Sequence, residues 1–264
     1  HDFRELLDSI RVAIENGKPI VIMMGAHVIK CGLNPLIIEL MKRKLVRGIA
    51  LNGAGVIHDT ETAYWGTTSE DVAEALNDGS FGMVKETPEI INNALLLGDK
   101  KNLGYGQAVG NKISADNAPN KHLSILATGY ELAIPVTIHV AIGTDIIHQH
   151  CNTDGALVGK LSHRDFKIFC HILTELGQGG ILINIGSAVI LPEVFLKALT
   201  VVRNLGYNVH EIITANFDML QHYRPRVNVV QRPTETGGKG YQFTGHHEIM
   251  IPLLVAGILE LVES

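Results

Sequence analysis

Aromatic residues are scarce in this 264-residue sequence, at 5%, and charged residues make up only 19%. The core must therefore be aliphatic, which suits parallel strands buried on both faces. Cysteine is nearly missing: Cys31, Cys151 and Cys170 stand apart, with no CxxC spacing. That excludes a disulfide framework and fits a reduced, cytoplasmic setting. There is no basic run, and the formal net charge is -5, which argues against nucleic acid as a partner. No apolar run reaches the length of a membrane span; the longest, Ile249 to Val262, has the length of a buried helix. No signal peptide is visible, and residue 1 is His rather than Met. Repeats, low-complexity tracts and dividing linkers are missing too, so one α/β domain over residues 1–264 is expected.

What is present is an alternation of strand and helix patterns. Asp2 to Asn16 is spaced as a helix and stopped by Gly17. Pro19 to Met24 reads as a buried strand, and Asn34-Pro35 opens a helix with Asn34 as its cap. Gly48 to Leu51 is the second strand. Helices are predicted from Thr68-Ser69-Glu70-Asp71, from Thr87-Pro88-Glu89 and from Ser124. The Gly- and Asn-rich stretch 98–121 is long for a connection and suggests a helix at an oligomer surface. Further strands are predicted at Pro135 to Ile142, Gly180 to Ile185 and Val209 to Ile213. Helices are predicted at Asp165 to Leu176, Leu191 to Leu205 and the C-terminal apolar run. This βαβ order defines a mostly parallel sheet of Rossmann type.

Each strand is followed by small or polar residues: Gly25-Ala26-His27, Asn52-Gly53-Ala54-Gly55, Gly143-Thr144-Asp145, Gly186-Ser187 and Thr214-Ala215-Asn216. In a parallel sheet these lie along the carboxyl edge, where helix N-termini and free N–H groups bind ligands. One such cluster is ordinary turn chemistry; five in succession favour a binding edge. The GxGxxG fingerprint is missing, so a dinucleotide would be held by another variant of the fold.

Met24 to Leu33, Val46 to Thr62, Ala133 to Val136 with Thr144-Asp145, Gly186, and Thr214-Ala215-Asn216-Phe217-Asp218 together resemble the deoxyhypusine synthase family. The resemblance implies a three-layer Rossmann-like fold, NAD as cofactor, a homotetramer, and transfer of an aminobutyl group through a lysine imine. The sequence departs from that family at Ile57 and His58, where it has paired glutamates, and near Leu191-Pro192, where it has a histidine pair. Its catalytic lysine has only a loose counterpart in Lys239, and the tryptophan beside it is missing there; the single tryptophan is Trp65. A second patch, Asn52 through His58-Asp59-Thr60-Glu61 and then Gly66-Thr67-Thr68-Ser69, is similar to NAD-dependent ornithine cyclodeaminases of archaeal and cyanobacterial type.

These readings select a site. NAD is expected along Gly25, Ala26, His27, Asn52 to Gly55, Gly186, Ser187, Thr214 to Asn216, and Asp218. Asp145 would bind a cationic amine or cap a helix. His58 would act as a base near neutral pH, and Asp59 and Glu61 would orient the amine or simply favour a helix start. Lys239, in a Gly-rich loop, would form an imine or lie in solvent. His148-Gln149-His150-Cys151 would point two rings one way only as a strand, so no metal is assigned. Two functions follow. One is an NAD-dependent enzyme acting on a small amine, by aminobutyl transfer or deamination; the other is a dinucleotide-binding regulatory protein without catalysis.

Overall fold

The computed structural model describes residues 1–68 and 72–263. Helix α1 (Asp2–Glu15) precedes β1 (Ile20–Met24), the single turn α2 (His27–Lys30), α3 (Asn34–Lys42) and β2 (Gly48–Asn52). Then come α4 (Gly53–Trp65), α5 (Val72–Asp78), α6 (Glu86–Lys100), α7 (Tyr105–Ala115), α8 (Ile125–Leu132) and β3 (Val136–His139). The chain continues through α9 (Gly155–Leu173), β4 (Ile181–Ile185), α10 (Ile190–Asn204) and β5 (Ile213–Asp218). A short helical stretch, α11 (Tyr223–Pro225) and the wide turn Arg226–Gln231, leads to β6 (Lys239–Thr244) and α12 (His247–Glu263). No helix among the described residues is long and apolar enough to cross a membrane.

All six strands are parallel, in the order β3-β2-β1-β4-β5-β6. This is a Rossmann-like α/β fold, and its strand order reverses between β1 and β4. Alternate residues of each strand serve opposite faces. Ile20, Ile22 and Met24 pack with α1, α3, α8 and α12, whereas Val21 and Met23 pack with α9 and α10. Each fully buried aliphatic side chain contributes about 1.5–3 kcal/mol, so the aliphatic composition suffices without many aromatics.

Several predicted elements shift. Asn34 is buried in the first turn of α3 and its side-chain amide donates to the Leu123 carbonyl, so it does not cap the helix. Residues Ser69 to Asp71, where one helix was predicted to begin, lie outside the described residues; α5 follows them. The Gly- and Asn-rich stretch forms α7, whose Gly106 and Gly110 let it pack against β3 and α8. Its length is thus explained within the chain. Helix α9 begins at Gly155, ten residues before the predicted start, capped by Asp154. The strand predicted at Val209 to Ile213 is instead Ile213–Asp218, and β6 lies in a segment read as polar loop.

The edge strand β3 is closed by α9. The Asp165 carboxylate, fully buried, accepts from Ile138 N at 2.7 Å and from Tyr105 N and Gly106 N at the start of α7. Ser162 Oγ donates to the Ile138 carbonyl and accepts from Val140 N. Burial pushes the Asp165 carboxyl up to about 7, against the pull of its three N–H donors. An Asp165→Ala change strands three buried donors and is expected to cost roughly 3–5 kcal/mol. Exposed Glu131→Ala should cost less than about 0.5 kcal/mol. Urea unfolding of both variants checks the difference; equal midpoints would refute the role of Asp165.

Candidate functional site

Helix α4 starts directly at the end of β2. Asn52 Oδ1 accepts from Gly55 N at 2.9 Å and caps it. The helix then presents two unlike faces. His58 and Glu61, three residues apart, face one way. Asp59 faces the other and is fully buried, accepting from Ser124 Oγ, Ile125 N and Leu126 N at the start of α8. Burial pushes its carboxyl up to about 6 despite those three bonds. Asp59 is therefore a structural anchor, not a substrate ligand, and the expectation for it is corrected.

His58 and Glu61 line a cavity of about 500 Å³ at the carboxyl ends of β2 and β3. Ala54, Ile57 and Trp65 of α4, Thr67 and Thr68, Val72, Phe81 and Val84, Glu86 and Thr87, Thr144 to Ile146, and Lys30 complete its walls. Three carboxylates, Glu61, Glu86 and Asp145, face it against one lysine. The only tryptophan of the sequence is on its wall.

The proton positions on α4 follow from the donors. Burial raises the Glu61 carboxyl, but the His58 ring 3.7 Å away and the hydroxyls of Thr68 and Thr87 outweigh it and hold the group below its ordinary range. Ionised, it only accepts. Thr68 Oγ1 donates its one proton to Glu61 Oε2 and so accepts from His58 Nδ1, 2.6 Å away. Thr87 Oγ1 also donates to Glu61, at 3.1 Å. The neutral His58 ring thus carries its proton on Nδ1, which leaves the Nε2 lone pair free.

Asp145 closes the other wall. Its side chain is only 7% exposed, burial raises its pKa, and Oδ2 has no hydrogen-bond partner among the described residues. The carboxylate rests against Gly53: a Cβ there would fall 1.8 Å from Oδ2. The glycine first expected to admit a cofactor instead makes room for Asp145. His148, on the 3₁₀ turn Ile146–Gln149, accepts at Nδ1 from Gly143 N and Asp145 N. Its proton must then sit on Nε2, which is buried, unpartnered and 4.0 Å from Asp145 Oδ2. This turn is not a strand, so His148 and His150 do not form an HxH pair; His150 Nε2 donates to the Gly82 carbonyl. Sequence reading missed His148 as a neighbour of Asp145. Its three-residue offset from Asp145, one turn along a helix, was the available signal.

The other expected residues spread along the sheet. Gly25 is packed on the β4 turn, where a Cβ would meet Gly186 O at 2.5 Å. Ala26 caps α2, and His27 is exposed with its ring 5.5 Å from that of His247. Gly186 has φ +63°, and the His247 ring fills the space beside it. Ser187 Oγ accepts from Leu191 N at the start of α10. Gly55 is buried under the Asn52 cap. Thr214, Ala215 and Asn216 are corrected: they lie inside β5 and are fully buried. Asn216 accepts from Asn184 Nδ2 at 2.7 Å and donates to Gln221, a polar chain across three strands. Asp218 ends β5 and accepts from Met219 N. Lys239 is corrected as well. It starts β6 at the opposite, amino end of the sheet, pairs with Ile213 in register, and forms an ion pair with Glu5.

Fold and site therefore define a parallel α/β Rossmann-like protein with an acidic cavity beside its switch point. No family model and no curated protein matches the sequence. Solved structures do match in fold. An LOR/SDH-type protein from Methanococcus maripaludis S2 is similar at 16% identity and TM-score 0.59, over 98% of this chain and 68% of that one. ArgZ, an arginine dihydrolase of the cyanobacterial ornithine–ammonia cycle, is similar at 18% identity and TM-score 0.56, over 98% of this chain. AgrE, in a ternary complex with ornithine and NAD+, is similar at 12% identity and TM-score 0.58, over 99% of this chain. The chain spans 32% of the length of ArgZ and of AgrE.

Gly53→Ala is expected to displace the Asp145 carboxylate, because the new Cβ cannot share its place. The variant should lose affinity for cationic cavity ligands to the same degree as Asp145→Asn. Calorimetric titration of both with putrescine checks this; a Gly53→Ala variant that binds like the parent would show that the contact is immaterial.

Proposed function

We propose that the cavity binds a small cationic amine and that the chain, with NAD along the adjoining carboxyl edge, oxidises it. The observation that carries this reading is Asp145, which lines the cavity with two further carboxylates and whose buried Oδ2, against Gly53, has no partner among the described residues. An ammonium group supplies the missing donor and the opposite charge.

The β1–β4 crevice suits a dinucleotide in part. Asn184 Oδ1 is buried there without a partner, and the Gly186 turn leads into the fifteen-residue α10. The glycine loop after β1 is missing, since α2 is a single turn. When bound, NAD supplies the acceptor for a hydride from the carbon that carries the nitrogen. Asp145 and Glu61 hold the cation and orient that carbon. His58 Nε2 takes the proton that the ammonium gives up, and Thr68 and Glu61 stabilise the charge that forms on the ring. The homotetramer implied by the family resemblance belongs to the same proposal.

A second reading, a dinucleotide binder without catalysis, is favoured by Lys239. That lysine is exposed on Glu5 at the far end of the sheet, and Lys30 at the cavity is exposed too. No buried lysine among the described residues faces the cavity, so the proposed chemistry does not use a lysine imine.

Because burial raises the Asp145 pKa, its ionised form is lost earlier on acidification than that of an ordinary aspartate. Putrescine or ornithine binding should therefore weaken as pH falls through that raised range. Asp145→Asn should remove this acid limb and weaken binding about 10- to 100-fold. Calorimetry across pH, with NADH formation followed by absorbance, checks both. Binding that is identical in parent and variant would end the amine reading. NAD binding without amine-dependent NADH would select the non-catalytic one.

A further inference from the structure

We infer that His27, Cys31 and Glu248 form a divalent metal site of zinc type, over the crevice between β1 and β4. His27 opens the single turn α2 and Cys31 is its C-terminal cap, with Cys31 N bonded to the His27 carbonyl at 3.0 Å. One helical turn apart, the two side chains share a face. Glu248 reaches them from the first turn of α12. The three ligand atoms lie within 4.8 Å of one another. Tetrahedral zinc with bonds of about 2.0–2.3 Å needs ligand separations of roughly 3.4–3.8 Å. The required contraction is at most about 1.4 Å, and His27 and Glu248 are exposed and able to supply it.

The ligand chemistry points the same way. Thiolate, imidazole and carboxylate together suit zinc or cobalt and not magnesium or calcium, which take oxygen ligands. On metal binding the thiol proton leaves to solvent, and the Cys31 thiolate becomes a ligand beside Glu248. Three protein ligands leave one position open, as in catalytic rather than structural zinc sites. A second observation lies beside the cluster. His247, next to Glu248 in sequence, is 2% exposed, neither ring nitrogen has a partner among the described residues, and its ring is 5.5 Å from that of His27. A buried imidazole with two unmet nitrogens is costly, and a metal-bound water at the open position would meet one. The site would join the turn after β1 to the start of α12. It replaces the expectation that the chain holds no metal, and it does not rest on the amine-oxidising reading.

A further cluster, His1 with Asp2 and Glu5, contains no sulfur, so a spectroscopic thiolate signal separates the two. The reduced protein is titrated with cobalt(II) alone. The expected result is a thiolate-to-cobalt charge-transfer band that saturates at one ion per chain and is displaced by zinc. Cys31→Ser should abolish the band, and exposed Cys151→Ser should keep it. His27→Ala and Glu248→Gln should each weaken cobalt binding about tenfold or more, a loss typical even of residues outside a ligand set. A parent protein without the band, or a band that survives Cys31→Ser, would overturn the inference.

Discussion

The grip of Asp165 on the edge strand is the constraint from which the cavity follows. A parallel edge strand of four residues exposes N–H and C=O groups that must be satisfied or covered. Asp165 and Ser162, one turn apart on α9, satisfy Ile138 on both its N–H and its carbonyl, and take Val140 N as well. The same carboxylate holds the first turn of α7, where a Cβ on Gly104 would fall 1.9 Å from Asp165 Oδ1. One buried group therefore fixes where β3 ends. The turn that leaves β3 carries Asp145 onto Gly53 and His148 onto the Asp145 backbone. Without that anchor, the acidic wall of the cavity has no fixed position.

Helix α4 solves a related problem with a second buried carboxylate. Asp59 accepts three hydrogen bonds from the start of α8, which locks the rotation of α4 about its axis. With that rotation set, His58 and Glu61 can only face the cavity. A polar network that holds itself together costs less than one left open, and Glu61 shows this with donors from Thr68 and Thr87. Asp145 is the contrast. It is buried to a similar degree yet has an oxygen unmet among the described residues, and that difference is what the amine proposal rests on.

Much of this was legible in the sequence, and the failures have physical causes. Strands β1, β2 and β4 are continuous apolar runs ended by small residues, so their edge could be read directly. Strand β5 could not. Its polar residues Thr214 and Asn216 are buried inside the sheet: Asn216 accepts from Asn184 and donates to Gln221 across strands, while the Thr214 hydroxyl has no partner among the described residues. A reading based on hydrophobic runs starts the strand four residues early, on Val209 to Ile213. Strand β6, KGYQFT, alternates weakly and starts beside glycines, so it was read as loop and Lys239 as a flexible arm. Asp165 was read as a helix start because an acid near an apolar run usually is one; here it lies mid-helix and caps another helix instead. The βαβ pattern suggests Asp59, Glu61 and Asp145 as one group at the carboxyl edge; Glu61 and Asp145 line the cavity with His58, whereas Asp59 turns away. Which face Asp59 takes required the packing of α8.

The two parts of the proposed site are separated by the spacing of the sheet itself. The cavity stands over β2 and β3, and the switch-point crevice over β1 and β4. Neighbouring strands lie about 4.8 Å apart, so the two centres are about two strand spacings apart, roughly 10 Å. An extended dinucleotide lying along the carboxyl edge from the crevice would approach the cavity from the β1 side. Lys30, at the end of α2, lines the cavity, while His27 and Cys31 on the same turn face the crevice. That single turn takes the place of the glycine loop of an ordinary dinucleotide domain. Its side chains bring a lysine, an imidazole and a thiol to the spot where bare backbone would otherwise meet a pyrophosphate. The departure from the usual fingerprint is thus a change in chemistry at one turn, and it leaves the parallel sheet and its acidic cavity intact.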